Sequence, residues 1–384
     1  MDDSALALIG VVSWPSALSR RAAWRNLTAT LPAAGVALRF VMREHALAPA
    51  DAAASDVLKF PISPHNADTV GKLQLLRAFL QRAARAAPSD GALFARFVVH
   101  ADDDAFVSPR LLALRLRRAP PAEDVVLGAL DEWYMWDRRS MMPTCLAYSP
   151  RRWELATRHA AAYAPDAWAA RVRATADRAF RRPAGAFWNA SDPELVPRHV
   201  MQCLLPGLAG PFPYAKGFFV AFSRGVLRRL ATRLDADDPK CGGEAHALAG
   251  RGGALLDPEK LHEHAPGHAR HPASRILLED VYHACVLHED FRASNLTLVH
   301  LRTSEWGATK RAPLRRADVY HKLRRASRFD HLRERAAELI ERRERAAGAE
   351  GLACRSLADA MKPRGADAAA VPAWRWCEYK EEPR

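Results

Sequence analysis

No run of eighteen or more apolar residues occurs in the 384-residue chain, so no segment reads as a transmembrane helix. Met1 to Gly10 carries two aspartates and no positive n-region, and so does not read as a signal peptide. The six cysteines (Cys145, Cys203, Cys241, Cys285, Cys354, Cys377) show no C-x-x-C spacing, which argues against zinc. Their even count suits disulfides and buried free thiols equally. There is no internal repeat. There is also no RNP, zinc-finger or helix-turn-helix signature to go with the net charge of +13. The arginines are spread along the whole length, and with the heavy use of alanine they reflect a compositional bias. A basic surface attracts nucleic acid, anionic glycans or a nucleotide diphosphate without choosing among them. No nucleic-acid partner is expected. The sequons at Asn26, Asn189 and Asn295 are triplets that often arise by chance.

What is present is an alternation of strand and helix patterns, in a chain long enough for one large domain or two modest ones. Ala5 to Ser13 is a short apolar run stopped by Trp14-Pro15, a buried strand. A helix over Ser19 to Leu31 and a strand over Ala37 to Met42 follow, then an acidic, alanine-rich connection. Asp68 opens a helix to about Ala87, with Val70, Leu73, Leu76, Phe79 and Leu80 at helical spacing. Phe94 to His100 is a third strand, and Ser108-Pro109 caps and starts the next helix. Val125 to Leu130 and Phe218 to Phe222 are strands, with Ser223 capping a helix through Leu234. Glu279 to Leu287 reads as helix, Leu296 to Leu301 as strand, and Ala326 to Ala347 as a highly charged helix. The pattern predicts an α/β fold with a mixed central sheet flanked by helices. Its main domain spans residues 1–325, with an insertion at about 135–210. A charged helix and tail occupy 326–384.

Three groups carry chemistry. Asp102-Asp103-Asp104 follows a buried strand directly, and open α/β sheets bind ligands off the carboxyl ends of their strands. Carboxylates there make a hard oxygen site suited to Mn²⁺ or Mg²⁺, although the same triplet also suits a solvated turn. Glu279-Asp280 opens a helix after a long loop. One carboxylate of that pair could take the proton of an attacking hydroxyl, and acidic residues also favour any helix's first turn. His300 ends the strand LTLVH, where a neutral imidazole could complete a metal shell. Trp133-Tyr134-Met135-Trp136 suits either a sugar-stacking platform or core packing.

In order and spacing these elements resemble the β-1,3-galactosyltransferase/N-acetylglucosaminyltransferase family, which includes the Fringe proteins. Arg20-Arg21-Ala22-Ala23-Trp24-Arg25 resembles its early arginine-rich helix. Lys72 with Phe79 resembles its Lys-x6-aromatic helix, and Phe97 to Val107 its strand with the DDD-x-F-V (DXD-type) signature. Phe212-Pro213-Tyr214-Ala215-Lys216-Gly217 with Phe222-Ser223-Arg224 resembles its P-Y-x-x-G and S-R segment. Glu279-Asp280-Val281-Tyr282 resembles its E-D-V motif, and Leu298-Val299-His300 its late strand. The resemblance covers roughly residues 7–305 discontinuously.

It implies a GT-A, Rossmann-like fold and an inverting, UDP-sugar-dependent hexosyltransferase. Galactose or N-acetylglucosamine would pass to a glycan or glycoprotein acceptor, in β-1,3 linkage. An inactive GT-A fold that binds glycans is the alternative. By the resemblance, Asp104 and His300 ligate the metal and share one cavity, with Asp102 and Asp103 holding ribose, sugar or metal waters. Arg21, Arg25 and Lys72 lie at the donor. Asp280 is the general base. Tyr214, Lys216, Gly217, Glu279 and Trp133 shape the sugar or acceptor pocket. Ala215-Lys216-Gly217-Phe218 stands where the family has Cys-x-Gly-Gly. The resemblance implies the Golgi lumen, where members usually carry an N-terminal membrane anchor; this sequence starts at the first strand, so either an anchor lies outside it or the enzyme is soluble. A disulfide between Cys354 and Cys377 is expected to pin the weakly periodic tail.

Overall fold

Continuous burial along the first strand sets the architecture. β1 (Ala7–Val12) is buried on both faces. Ala7, Ile9 and Val11 join one core cluster, while Gly10 turns to the opposite face. The computed structural model describes residues 5–62, 68–120, 124–130, 132–137, 142–146, 208–215, 218–235, 287, 295–305, 318–321, 341–342, 344–348, 350–361 and 374–381. After β1 come α1 (Leu18–Thr30), β2 (Val36–Arg43), α2 (Pro49–Ala53), β3 (Val57–Phe60), α3 (Asp68–Arg85), β4 (Phe97–Asp102), β5 (Phe106–Val107), α4 (Pro109–Arg118) and β6 (Asp124–Gly128). β7 (Glu132–Asp137), β8 (Met142–Leu146), β9 (Leu208–Tyr214), β10 (Phe219–Ser223) and α5 (Arg224–Asp235) follow. The described elements end with β11 (Leu296–His300), β12 (Thr303–Glu305), β13 (Val319–His321), β14 (Glu350–Ser356), α6 (Leu357–Met361) and β15 (Arg375–Glu381).

A nine-stranded mixed sheet runs in the order β14-β15-β11-β6-β10-β4-β1-β2-β3. β10 is antiparallel to both of its neighbours, and β14 is antiparallel to β15. The other pairings are parallel. Seven strands therefore point the same way, and the carboxyl ends of β1, β4, β6 and β11 share one edge. Helices cover both faces. Trp24 and Leu27 of α1 and Leu112 and Leu116 of α4 pack with Ile9, Val99 and Phe219 on one side. α3 packs on the other face of β1 and β2, against α5. This is the expected α/β arrangement. β12-β13-β5 and β8-β7-β9 form two further three-stranded sheets.

Two local features position α3. A Cβ on Gly10 would lie 2.3 Å from Cζ of Phe79, so the bare backbone of β1 lets the Phe79 ring lie against it. Lys72 lies seven residues earlier on the same helix, two turns away and on nearly the same face. α4 begins as its sequence predicts. Pro109 occupies the first turn, and Ser108 Oγ accepts from the Leu111 amide at 3.4 Å.

The tail departs from the expected domain division. β14 and β15 extend the central sheet beyond β11, so the sheet crosses the boundary placed at 325/326. Cys354 and Cys377 face each other in the β14–β15 register and form the expected disulfide. Arg115 of α4 ties this edge down. It is buried, donates to Asp318 at 2.8 Å and Glu350 at 2.6 Å, and lies 3.8 Å from the ring centre of Tyr379. The Tyr379 hydroxyl donates back to the Arg115 carbonyl at 2.7 Å. Ser223 stands directly before α5, where its sequence places it. Its hydroxyl accepts from the Val125 amide at 2.9 Å and so ties β10 to β6.

Candidate functional site

β4 ends in Asp102, and the chain turns at once. The Ala105 amide donates to the Asp102 carbonyl at 3.1 Å, which puts Asp103 and Asp104 at the centre of a tight turn. The Asp102 amide donates to the Phe218 carbonyl at 3.0 Å, so the entry to β10 abuts this turn. Val12 of β1 pairs with Asp102, which sets Ser13 beside Asp103. All three aspartates line an open cavity of about 320 Å³ with Val12, Trp14, Arg20 and Lys72. That is the lower end of small-molecule sites.

Each carboxylate has a distinct setting. Lys72 Nζ lies 2.8 Å from Asp102 Oδ1 and 3.0 Å from Oδ2, and Nε2 of the buried His100 lies 3.5 Å from Oδ1. Burial pushes the Asp102 carboxyl up. Lys72 and His100 together outweigh that and hold it below the usual carboxylate range. Asp103 accepts from Arg20 at 2.5 Å and from the Ser13 hydroxyl at 2.9 Å. Burial nevertheless raises its pKa, more than Arg20 and Ser13 pull it back, with the like charges of Asp102 and Asp104 adding to the rise. Asp104 is at the margin of burial, 9% exposed. Among the described residues, no three His, Cys, Asp or Glu side chains converge on a ready-made cation site. In chemistry the acid turn fits a hard divalent cation, since carboxylate oxygens are what Mn²⁺ and Mg²⁺ take. In arrangement, two of its members are turned toward internal cations.

Arg21 and Arg25, expected at the donor, are not among the residues lining this cavity. Arg21 is wholly buried. It donates to Asp51 at 2.6 Å, to the Ser13 hydroxyl at 3.1 Å, and to the Trp14 and Pro15 carbonyls. It thus holds the loop after β1 in place and does not line the cavity. Arg25 lies four residues further down α1, about 6 Å along its axis. It makes a two-pronged pair with Asp56 at 2.7 and 3.0 Å and sits over the Phe40 ring. Arg20 lines the cavity in their stead. Buried Arg21, Trp24 and Leu27 mark the inner stripe of α1, and a residue beside that stripe, such as Arg20, falls at its rim.

His300 stands at the same sheet edge but is not among the described residues lining the cavity. β10 and β6 separate β11 from β4, a lateral offset of about 14 Å at ordinary strand spacing. Its Nδ1 accepts from the Leu130 amide at 3.1 Å. That bond uses the Nδ1 lone pair within the fold. The ring also stacks on Trp376 at 5.8 Å.

Trp133 and Tyr214 come together in the three-stranded sheet. Glu132 pairs with Tyr214 and Trp133 with Pro213, four or five residues before Phe218 at the acid turn. Asp280, Glu279, Lys216 and Gly217 lie outside the described residues. Sequence reasoning missed Trp14 and Arg20 as cavity residues, and Ser13 as the hydroxyl behind Asp103. When the chain is compared with known proteins, no family model and no curated protein matches it.

Proposed function

We propose that this chain is a metal-dependent inverting glycosyltransferase of the GT-A type. In this reading it moves a hexose from a UDP-sugar to a glycan or glycoprotein acceptor. One observation carries the proposal: three carboxylates on the turn after a central parallel strand open into a cavity shared with Arg20, Lys72 and Trp14. The carboxyl edge of such a sheet is where nucleotides bind. Acid, cation and aromatic wall together match the divalent ion, the diphosphate and the base ring of a nucleotide sugar.

Asp104 would hold the Mn²⁺ or Mg²⁺ ion, with Asp102 and Asp103 orienting its waters or the ribose. The ion when bound offsets charge on the departing diphosphate. Arg20 and Lys72 supply fixed positive charge at the same place. Ser13 and Arg21 hold the loop that walls the cavity, so the Asp103 carboxylate is oriented before any ligand arrives. Asp280 would take the acceptor hydroxyl proton as that oxygen attacks the anomeric carbon from the face opposite the diphosphate, and a single displacement inverts the centre.

The test is a screen of UDP-sugars for Mn²⁺-dependent UDP release, which runs without knowing the acceptor. Release above background with one donor, abolished by chelator, is the expected result. Glycan binding with no release from any donor would instead favour the inactive lectin-like alternative.

A further inference from the structure

Asparagine is scarce in this chain. Four occur in 384 residues: Asn26, Asn66, Asn189 and Asn295. Three of the four open an N-x-S/T triplet, with Thr28, Ser191 and Thr297 in third place and no proline between. Serine and threonine together number 27, so an asparagine meets one two places on with a chance of about one in fourteen. Any single triplet is ordinary. Chance alone gives well under one among four asparagines. In a composition that disfavours asparagine, the few present stand where the triplet needs them.

The fold presents the described carriers to solvent. Asn26 is exposed on α1, outside the buried stripe of Arg21, Trp24 and Leu27. Its neighbour Arg25 pairs with Asp56, directly before β3, so Asn26 lies toward the amino edge of the sheet. Asn295 is exposed immediately before β11, at that same edge and opposite the acid turn. Groups attached at either place leave the mouth of the acid-turn cavity clear. Asn66 and Asn189 lie outside the described residues. The triplets' hydroxyls fit the same role. Thr28 Oγ1 is buried and meets no hydrogen-bond partner among the described residues. A hydroxyl buried in that way costs stability, and valine would fill the same space without the cost. Packing therefore gives no reason for threonine at 28. Thr297 is wholly buried within β11, so its triplet is legible only before that strand enters the sheet. The Cys354–Cys377 disulfide points independently to the compartment. Cys354 is exposed on an edge strand, and such a bond persists where the surroundings are oxidising, as in the secretory lumen.

We propose that Asn26 and Asn295 carry N-linked oligosaccharides, added in an oxidising secretory lumen before the chain has folded. The donor is a lipid-linked oligosaccharide diphosphate. The bond from its anomeric carbon to the diphosphate oxygen breaks, and a bond from that carbon to the asparagine Nδ2 forms. One amide proton is released, and the lipid diphosphate departs. The host's own transferase performs the step, and this chain supplies the acceptor amides. None of this depends on the glycosyltransferase reading.

The full chain is expressed in a eukaryotic cell behind a cleavable secretory leader. Protein from cells and medium is then treated with peptide N-glycosidase in heavy-oxygen water, which turns each carrier asparagine into a labelled aspartate read by peptide mass spectrometry. Asn26 and Asn295 should be labelled, and Asn66, which opens no triplet, should not. Asn26→Gln and Asn295→Gln should each remove one step of the electrophoretic shift. Thr28→Ser should keep the label at Asn26, and Thr28→Val should lose it. Asn26→Gln and Asn26→Gln/Thr28→Val both lack the acceptor amide, so their comparison isolates the hydroxyl, and the double variant should melt no lower. An unlabelled Asn26 with a double variant that melts lower would put Thr28 in the service of the fold and overturn that site. A missing label at Asn295 would overturn its assignment. No label at either asparagine would overturn the proposal and leave the glycosyltransferase reading standing.

Discussion

Replacing Arg21 with methionine separates a structural arginine from a ligand-binding one. Methionine matches its length and apolar stem but removes the guanidinium. The structure gives Arg21 no exposure and four partners: Asp51 at 2.6 Å, the Ser13 hydroxyl at 3.1 Å, and two loop carbonyls. Its loss strands the Asp51 carboxylate, whose side chain is only 3% exposed, with Arg25 at 3.6 Å as its other cation. Removing one member of a buried ion pair costs about 3–5 kcal/mol. The abandoned carbonyls fall within the same figure, because they can turn toward water once the loop loosens. Roughly 4 kcal/mol is a large part of a stability of about 5–15 kcal/mol. It corresponds to a fall in Tm on the order of 10 °C. Urea and thermal unfolding followed by circular dichroism measure it. Arg21→Met/Asp51→Leu should recover at least about half, since removing both charges abolishes the stranded carboxylate. The reasoning is refuted if Arg21→Met unfolds within about 1 kcal/mol of wild type while UDP affinity falls about tenfold or more. That outcome would put Arg21 on the nucleotide, as the family resemblance implies.

Asp280→Asn should keep the fold and donor binding but lower kcat by about 10²–10⁴-fold, whereas Asp104→Asn should weaken Mn²⁺ and UDP together in binding assays. Near wild-type transfer by purified Asp280→Asn would defeat its role as base. Reduction, or Cys354→Ser, opens a loop whose ends are 23 residues apart. Stability should then fall by about 3 kcal/mol in denaturant titrations, and an effect near zero would show that the Arg115 cluster alone holds the edge. His300→Ala orphans the Leu130 amide and should cost about 1–3 kcal/mol while leaving Mn²⁺ affinity measured with UDP unchanged. A tenfold loss of Mn²⁺ would return His300 to the metal. Burial raises the Glu344 pKa despite a bond from Ser108 at 3.2 Å. Its contribution to stability is therefore full below about pH 4, the unfolded glutamate value, and is lost as pH rises through the higher folded value. Glu344→Gln should accordingly stabilise at pH 7 and not at pH 3, as read by Tm, and a gain at both would contradict the sign.

Elements with an unbroken apolar run could be read from sequence to within a few residues. β1, β4, β6, β10 and β11 are strands buried along most of their length and β2 along its second half, and their sequences advertise it. β3 escaped because Val57–Phe60 is four residues long and sits in a connection dominated by alanine and aspartate. β14 escaped for the opposite reason. As an edge strand, Glu350–Ser356 leaves most of its residues at least partly exposed and has no apolar signature. At the site, the acid turn was legible because consecutive aspartates after a buried strand need a reason to be there. Which arginine faced it was not legible from charge. Arg20 and Arg21 are neighbours of one type, and what buries Arg21 is Asp51, thirty positions away. The helical period shared by Arg21, Trp24 and Leu27 was the available signal. His300 was chosen for its place at a strand end. Its hydrogen bond to Leu130, 170 positions earlier, exists only once β11 lies beside β6.

The missing side chain at Gly10 has a reach beyond its own packing. Because the Phe79 ring occupies the space a Cβ would need, the height of α3 above the sheet is set by one hydrogen atom. Lys72 rides on that helix two turns away, and its 2.8 Å contact with Asp102 leaves little slack. Alanine at Gly10 would act like a shim under a lever. It would lift the helix at its fulcrum, draw the ammonium off the carboxylate, and alter the charge at the acid turn without touching any residue of it. The tuning of this site is therefore partly mechanical, and its adjusting screw lies inside the sheet.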